Sequence, residues 1–237
     1  MRAVLVGYGK MGLAIESSLL SRGHEVVAKG GRTSGGGNGN AEVAFEFTTP
    51  EAGEANVRAL LEKRCAVVSG TTGWDVVACQ KLAAELSVPF LHSSNFSIGV
   101  AVLRRVAASA ASLLAPFPEF EAGIVERHHS KKKDAPSGTA KTLAAACEAA
   151  GKAAPVVSLR QGGQPGEHAV IFDGPDESLE LLHRARSRGI FATGAVAAAE
   201  WLLASGRRGP VSFDEFLDEC MTQGALHRRA PRTPQAG

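Results

Sequence analysis

The sequence predicts an α/β chain in two parts, an N-terminal doubly wound parallel sheet followed by an α+β portion. Three observations carry this. Short apolar runs alternate with helical patterning as far as Leu91. A G-x-G-x-x-G turn joins the first apolar run to the first helix. After Asn95 the rhythm changes to one long helix and then to strands in succession.

The elements follow in order. Strand-like runs fall at Ala3–Val6, Glu25–Ala28, Val43–Phe47, Ala66–Ser69 and Val88–Leu91, with helices at Met11–Ser21, Glu51–Lys63 and Val76–Leu86 between them. Parallel strands joined by right-handed crossovers bring all strand C-termini to one edge, where ligands bind. Four loops map to that edge: Gly7–Gly12, Thr48-Thr49-Pro50, Gly70-Thr71-Thr72-Gly73 and Ser93-Ser94-Asn95-Phe96. Beyond it, a helix is expected over Ile98–Leu114, stopped by Pro116 and Pro118. A strand at Phe120–Glu126 and a helix at Thr139–Ala150 come next. Strands at Val156–Arg160, His168–Phe172 and Ser178–Arg184 then suggest a mostly antiparallel sheet. A helix over Ile190–Ala204 closes this part, and the polar tail after Gly224 is expected to lack structure.

Composition narrows the function classes. Net charge is +2, too small for a general role on nucleic acid or a membrane surface, so the basic character must be local. No run approaches the roughly 20 apolar residues of a spanning helix. Cys65, Cys79, Cys147 and Cys220 are scattered without metal-ligand spacing, so no metal is expected and reduced thiols in the cytoplasm are the simplest account.

Two motifs carry chemistry. Gly7-Tyr8-Gly9-Lys10-Met11-Gly12 follows an apolar strand and opens a helix, the context of a dinucleotide-binding Rossmann-type domain. The second strand ends in Lys29-Gly30-Gly31-Arg32 and carries no carboxylate. Cations where a ribose-binding acid would stand favour the 2′-phosphate of NADP(H), with NAD(H) still possible; Arg32 or Lys29, with Lys10, would bind it. The second motif, ERHHSKKKDAPSGTAK over 126–141, sets paired imidazoles beside three lysines. It then enters a helix at Ser137-Gly138-Thr139, where backbone N–H groups suit a carboxylate or phosphate. Lys131 and Lys133 flank Lys132, so the three form a local cationic cluster suited to an anionic substrate. Arg188 and His168 are further groups for a substrate or for structure.

With these motifs in order, the chain resembles the dihydrodipicolinate reductase family. The likeness rests on VGYGKMG, FTTP, SGTTGW, SSNFSIGV and the E-x-x-x-x-E-x-H-H-x-x-K-x-D-x-P-S-G-T-A string from Glu121, then on PGEH, HRARSRGIF and ATGAVAAAEWL. It implies a Rossmann-type domain of 1–96 plus about 207–237, with the helix near Phe213–Met221 returning to it. It also implies a substrate-binding and tetramerisation domain of 97–206. The expected activity is NAD(P)H-dependent reduction of 4-hydroxy-tetrahydrodipicolinate, a small dicarboxylate, in lysine and diaminopimelate synthesis by a homotetramer. By the same resemblance His128 is the proton donor or acceptor and Lys132 the catalytic lysine. His129, Gly138 and Thr139, beside Ser137, hold substrate carboxylates. Gly70, Thr71, Thr72, Ser93, Ser94, Asn95 and Phe96 contact the nicotinamide side. The family's more common D-F-[ST] reads Glu46-Phe47-Thr48, and the acid usual after the second strand is replaced. The alternatives are another two-domain NADP-dependent oxidoreductase or a non-catalytic NADP-binding sensor.

Overall fold

The computed structural model describes residues 1–30 and 40–229, the side chains of 223–229 excepted. The chain forms two compact units, Met1–Phe96 joined by the chain from Ala192, and Ser97–Phe191. In chain order the first stretch holds β1 (Arg2–Val6), α1 (Lys10–Ser21), β2 (Glu25–Gly30), β3 (Val43–Glu46), α2 (Pro50–Glu62), β4 (Ala66–Ser69), α3 (Val77–Leu86) and β5 (Phe90–His92). The rest comprises α4 (Ile98–Leu114), β6 (Glu121–His128), α5 (Gly138–Ala149), β7 (Val156–Arg160), β8 (Glu167–Asp173), β9 (Ser178–Arg184), α6 (Gly189–Ala204), β10 (Pro210–Ser212) and α7 (Phe213–Arg229).

In the first unit all strand pairs are parallel, in the order β10-β5-β4-β3-β1-β2. β3 and β4 are buried along their whole length, as strands covered on both faces must be, which explains their unbroken apolar runs. Helices start where local chemistry allows: Pro50 opens α2 with Glu51 in its first turn, and Ser97 caps α4 by accepting from the Val100 amide at 3.2 Å. Val4, Val6, Val57, Leu60, Leu61, Val67 and Phe90 form the core between sheet and helices. Strand order reverses around β1, so the loops after β1 and β3 bound the crevice where ligands of doubly wound sheets sit.

The second unit is a mixed sheet in the order β7-β6-β8-β9. β6–β8 and β8–β9 are antiparallel, but β7 lies parallel to β6, reached through α5. α4 and α5 cover one face through Leu103, Ala107, Leu143 and Cys147, packed on Ile124, Val170 and Phe172.

Three features depart from the sequence-based elements. The three-residue β10 has no signal of its own, because pairing with β5 and not propensity makes it a strand. α6 packs with the first unit already from Ala192, ahead of the return expected near 207. Its small residues are buried on several sides and Trp201 lies against Phe216 on α7, ring centroids 5.6 Å apart. Finally, α7 continues past Gly224 to Arg229, so the tail expected to lack structure is helical that far.

Candidate active site

The glycine turn of the first unit is shaped by contact. Gly7 has φ +96°, and a Cβ there would stand 2.1 Å from the Phe47 carbonyl oxygen. A Cβ on Gly12 would stand 2.3 Å from the Gly7 carbonyl oxygen. Gly9 faces open space and serves as the N-cap of α1 without a side-chain cap. That combination fits a dinucleotide: two glycines permit the tight turn, and the third leaves room for a pyrophosphate at the helix's uncapped amides. Lys10 is exposed and Met11 half-buried in the first turn.

The neighbouring loops are tied through one buried carboxylate. Glu46, 0% exposed at the end of β3, accepts from Ser69 Oγ at 2.7 Å, from Thr71 Oγ1 at 2.9 Å and from Thr48 Oγ1. Thr71 Oγ1 also accepts from the Thr48 amide at 2.8 Å. The Thr71 side chain therefore holds the loops together, while Thr72 is exposed. A Cβ on Gly70 would collide with the Phe47 ring at 2.1 Å. Ser93 Oγ donates to the Asn95 carbonyl at 2.9 Å, folding that loop on itself, and Ser94 is exposed. Phe96 is buried between Phe47 and Phe213, so its side chain serves packing. Arg32 lies outside the described residues. Lys29 is not a free cation: it pairs with Glu16 on α1 at 2.9 Å.

In the second unit, Glu126 and His128 sit two apart on β6 and point to the same, helix-covered side. Glu126 is 0% exposed. It accepts from Arg160 Nη2 at 2.6 Å and from the Ser137 amide at 3.2 Å, and it meets Nδ1 of His128. Burial opposes its ionisation most, but the Arg160 guanidinium, followed by the Ser158 hydroxyl, the Ser137 amide and His128, outweighs burial and holds the carboxyl down to about 2. Burial also pushes His128 below the usual imidazole range, against the pull of Glu126. An ionised Glu126 only accepts, so Nδ1 of a neutral His128 carries the hydrogen and Nε2 is the basic nitrogen.

The His128 ring has room because residue 166 is glycine: its φ is +156°, and a Cβ there would stand 2.9 Å from Nε2. His168 packs edge-on to His128, ring centroids 5.1 Å apart, and bonds Ser137 Oγ at 3.2 Å. It is 4% exposed, and burial foremost pushes it down to about 4. Ser137 caps α5, accepting from the Ala140 amide at 3.2 Å, so Gly138 and Thr139 form the first turn as expected. Lys132 Nζ bonds Asp134 at 2.8 and 3.0 Å. His129 is half-buried at the loop's start, whereas Arg188 is exposed ahead of α6.

One donor atom each from Glu126, His128 and His168 lies within 4.8 Å of the others, a spacing a metal ion accepts. Those groups are already engaged, Glu126 with Arg160 and His168 with Ser137, and an adjacent guanidinium repels a divalent ion. The arrangement suits proton handling better. Sequence reading missed Arg160 and the partners of Glu126, because only the parallel register that sets Arg160 beside His128 brings them together.

A glycine turn at the reversal point of a parallel sheet, with a separate unit carrying a buried imidazole–carboxylate pair beside lysines, defines a two-domain, nicotinamide-dependent oxidoreductase. The comparisons with known proteins narrow this. The family model for the dihydrodipicolinate reductase N-terminus matches residues 1–96, and that for its C-terminus matches 99–217. The chain belongs to the dihydrodipicolinate reductase family. It is 36% identical over 236 residues to the 4-hydroxy-tetrahydrodipicolinate reductase of Archaeoglobus fulgidus, covering 90% of this chain and 84% of that protein. It is 46% identical over 162 residues to the protein of that name from Stenotrophomonas maltophilia, a match spanning 68% of this chain and 66% of the relative. Among solved structures, dipicolinate-bound dihydrodipicolinate reductase from Paenisporosarcina sp. TG-14 shares the fold with a TM-score of 0.77. It is 20% identical, over 90% of this chain and 97% of that one. A probable dehydrogenase from Thermotoga maritima shares it more loosely, with a TM-score of 0.60 and 9% identity over 91% of this chain and 92% of that one.

Proposed function

We propose that this chain is a 4-hydroxy-tetrahydrodipicolinate reductase, acting in lysine and diaminopimelate synthesis on a small cyclic dicarboxylate. The observation that carries the reading is the buried Glu126–His128 pair, set beside Lys132 and the capped Ser137–Gly138–Thr139 helix start. The dinucleotide, when bound, would supply hydride to the substrate ring, and the ring's 4-hydroxyl would leave as water, taking up the one proton that accompanies that hydride. The substrate's two carboxylates meet the amides at the start of α5, at Gly138 and Thr139, and the cationic loop with His129. Lys132, held by Asp134, donates the proton that balances charge arriving with hydride. His128, neutral and oriented by Glu126, accepts or passes a proton at Nε2. Glu46 fixes the Thr48 and Thr71 loops that border the nicotinamide side.

In this reading residues 1–96 with the chain's end bind the dinucleotide, and the intervening part binds substrate and assembles. NADPH is preferred and NADH accepted, supported by Lys29 near the end of β2, where a carboxylate would favour NAD(H). A homotetramer is supported by the second sheet's face away from α4 and α5, where Val157, Leu159 and Leu182 are exposed. Free thiols at Cys65, Cys79 and Cys147 suit the cytoplasm. Among the described residues no helix is long and apolar enough to cross a membrane.

The test follows pyridine-nucleotide oxidation with freshly prepared substrate. The parent chain should turn over, and Lys132→Ala should be slowed by about 10²-fold or more while dinucleotide binding persists. Near-parent turnover in that variant removes Lys132 from the chemistry. Dinucleotide binding without any turnover by the parent supports a sensor instead.

A further inference from the structure

Three elements of the first unit converge on one ion pair that the proposed chemistry does not use. Lys29, next to last in β2, donates from Nζ to Glu16 Oε1 at 2.9 Å and to the Tyr8 hydroxyl at 3.0 Å. The same ammonium lies 4.6 Å from the centre of the Tyr8 ring. Tyr8, inside the glycine turn, donates its hydroxyl to Glu16 Oε2. The Glu16 side chain is 19% exposed and that of Lys29 49%, so the carboxylate is the better enclosed partner. The Tyr8 hydroxyl first, then Lys29, holds the Glu16 carboxyl below its usual range, so it is an anion at neutral pH.

The location gives this cluster meaning. Register sets Lys29 beside Leu5, and Gly7 donates to the Gly30 carbonyl at 2.7 Å, so the end of β2 adjoins the turn. In doubly wound dinucleotide sites this strand end reads position 2′ of the adenosine ribose, with a carboxylate for a hydroxyl or a cation for a phosphate. Here both charges are present, the cation from the strand and the carboxylate from α1, and they are bonded to each other.

We infer that Glu16 is a specificity-determining residue. It holds the Lys29 ammonium, so a 2′-phosphate must compete with a carboxylate for the lysine, whereas a 2′-hydroxyl need not. The effect is to narrow the discrimination between NADPH and NADH. This rests on the dinucleotide reading of the glycine turn, and it adds a residue that reading does not contain.

Calorimetric titration of the full chain with NADPH and with NADH tests it, the readout being the ratio of the two dissociation constants. Glu16→Gln keeps the side chain's size and removes its charge, and should shift the ratio about three- to fivefold toward NADPH, as expected for release of a partly exposed pair. Lys29→Gln should weaken NADPH about tenfold through loss of a charge-assisted bond to phosphate, while NADH changes little. A ratio unmoved in Glu16→Gln, or an equal loss for both dinucleotides, overturns the inference and leaves the cluster a brace for the turn. If the parent chain binds neither dinucleotide, the dinucleotide reading falls, and the inference with it.

Discussion

Among the described residues, each unit buries one carboxylate to 0% exposure, Glu46 in the first and Glu126 in the second, and the two are solved differently. Glu46 in the parallel sheet is met by the hydroxyls of Ser69, Thr71 and Thr48. Glu126 in the mixed sheet is met by a guanidinium, an imidazole and a backbone amide. Hydroxyls rotate to suit a carboxylate and carry no net charge, so Glu46 acts as a fixed knot between two loops. The Arg160 guanidinium keeps Glu126 ionised, and its neighbour His128 becomes a defined tautomer. The lesson is that a buried acid is informative through its partners more than through its burial.

The largest test of this contrast is removal of each acid in turn. Glu126→Ala leaves the Arg160 guanidinium without its carboxylate and should lower the unfolding free energy by about 3–5 kcal/mol. Glu46→Ala leaves hydroxyls short of an acceptor and should lower it by about 1–3 kcal/mol. Urea midpoints for the two variants decide the matter, and equal or reversed losses would erase the distinction.

A smaller effect is expected in acid. His168 is held at about 4, below the 6.5 of an unperturbed imidazole, and His128 is shifted the same way. The unfolded chain therefore takes up protons first, and stability should decline as pH falls from about 6.5 to about 4. Glu126, lowered from 4.5 to about 2, contributes stability above 4.5 that is lost only as pH falls from there toward 2. Midpoints that stay flat between about pH 7 and pH 5 would mean that the imidazoles are not buried neutral in solution.

The smallest structural change, Gly166→Ala, sharpens the picture of the His128 side. The added methyl would stand 2.9 Å from Nε2. Turnover should fall about tenfold through displacement of the ring. Dinucleotide affinity should be unchanged, because the substitution lies in the other unit. Parent-like turnover would show that the ring's present position is not the working one.

Much of this was legible beforehand. The alternating runs marked β1 to β5, the glycine turn marked the dinucleotide unit, and the HHxxK–SGT string marked the other. Ser137 was readable as a helix start because capping is local chemistry. Arg160 was not readable, since it looks like one more residue of a short strand. Lys29 was read as a cation waiting for phosphate, and it is held by a carboxylate thirteen positions earlier. Glu46 showed only as a variant of a more common aspartate, with no hint of its hydroxyl cage.

The amino-acid order alone decided what short-range forces decide: which segments are strands or helices, where helices begin, and which motifs place the chain in its family. Tertiary structure decided which charges neutralise which, Arg160 with Glu126 and Glu16 with Lys29. The physical reason is that these partners come from different elements, and strand register together with helix packing brings them within a hydrogen bond's reach. Spacing along the chain does not encode that distance.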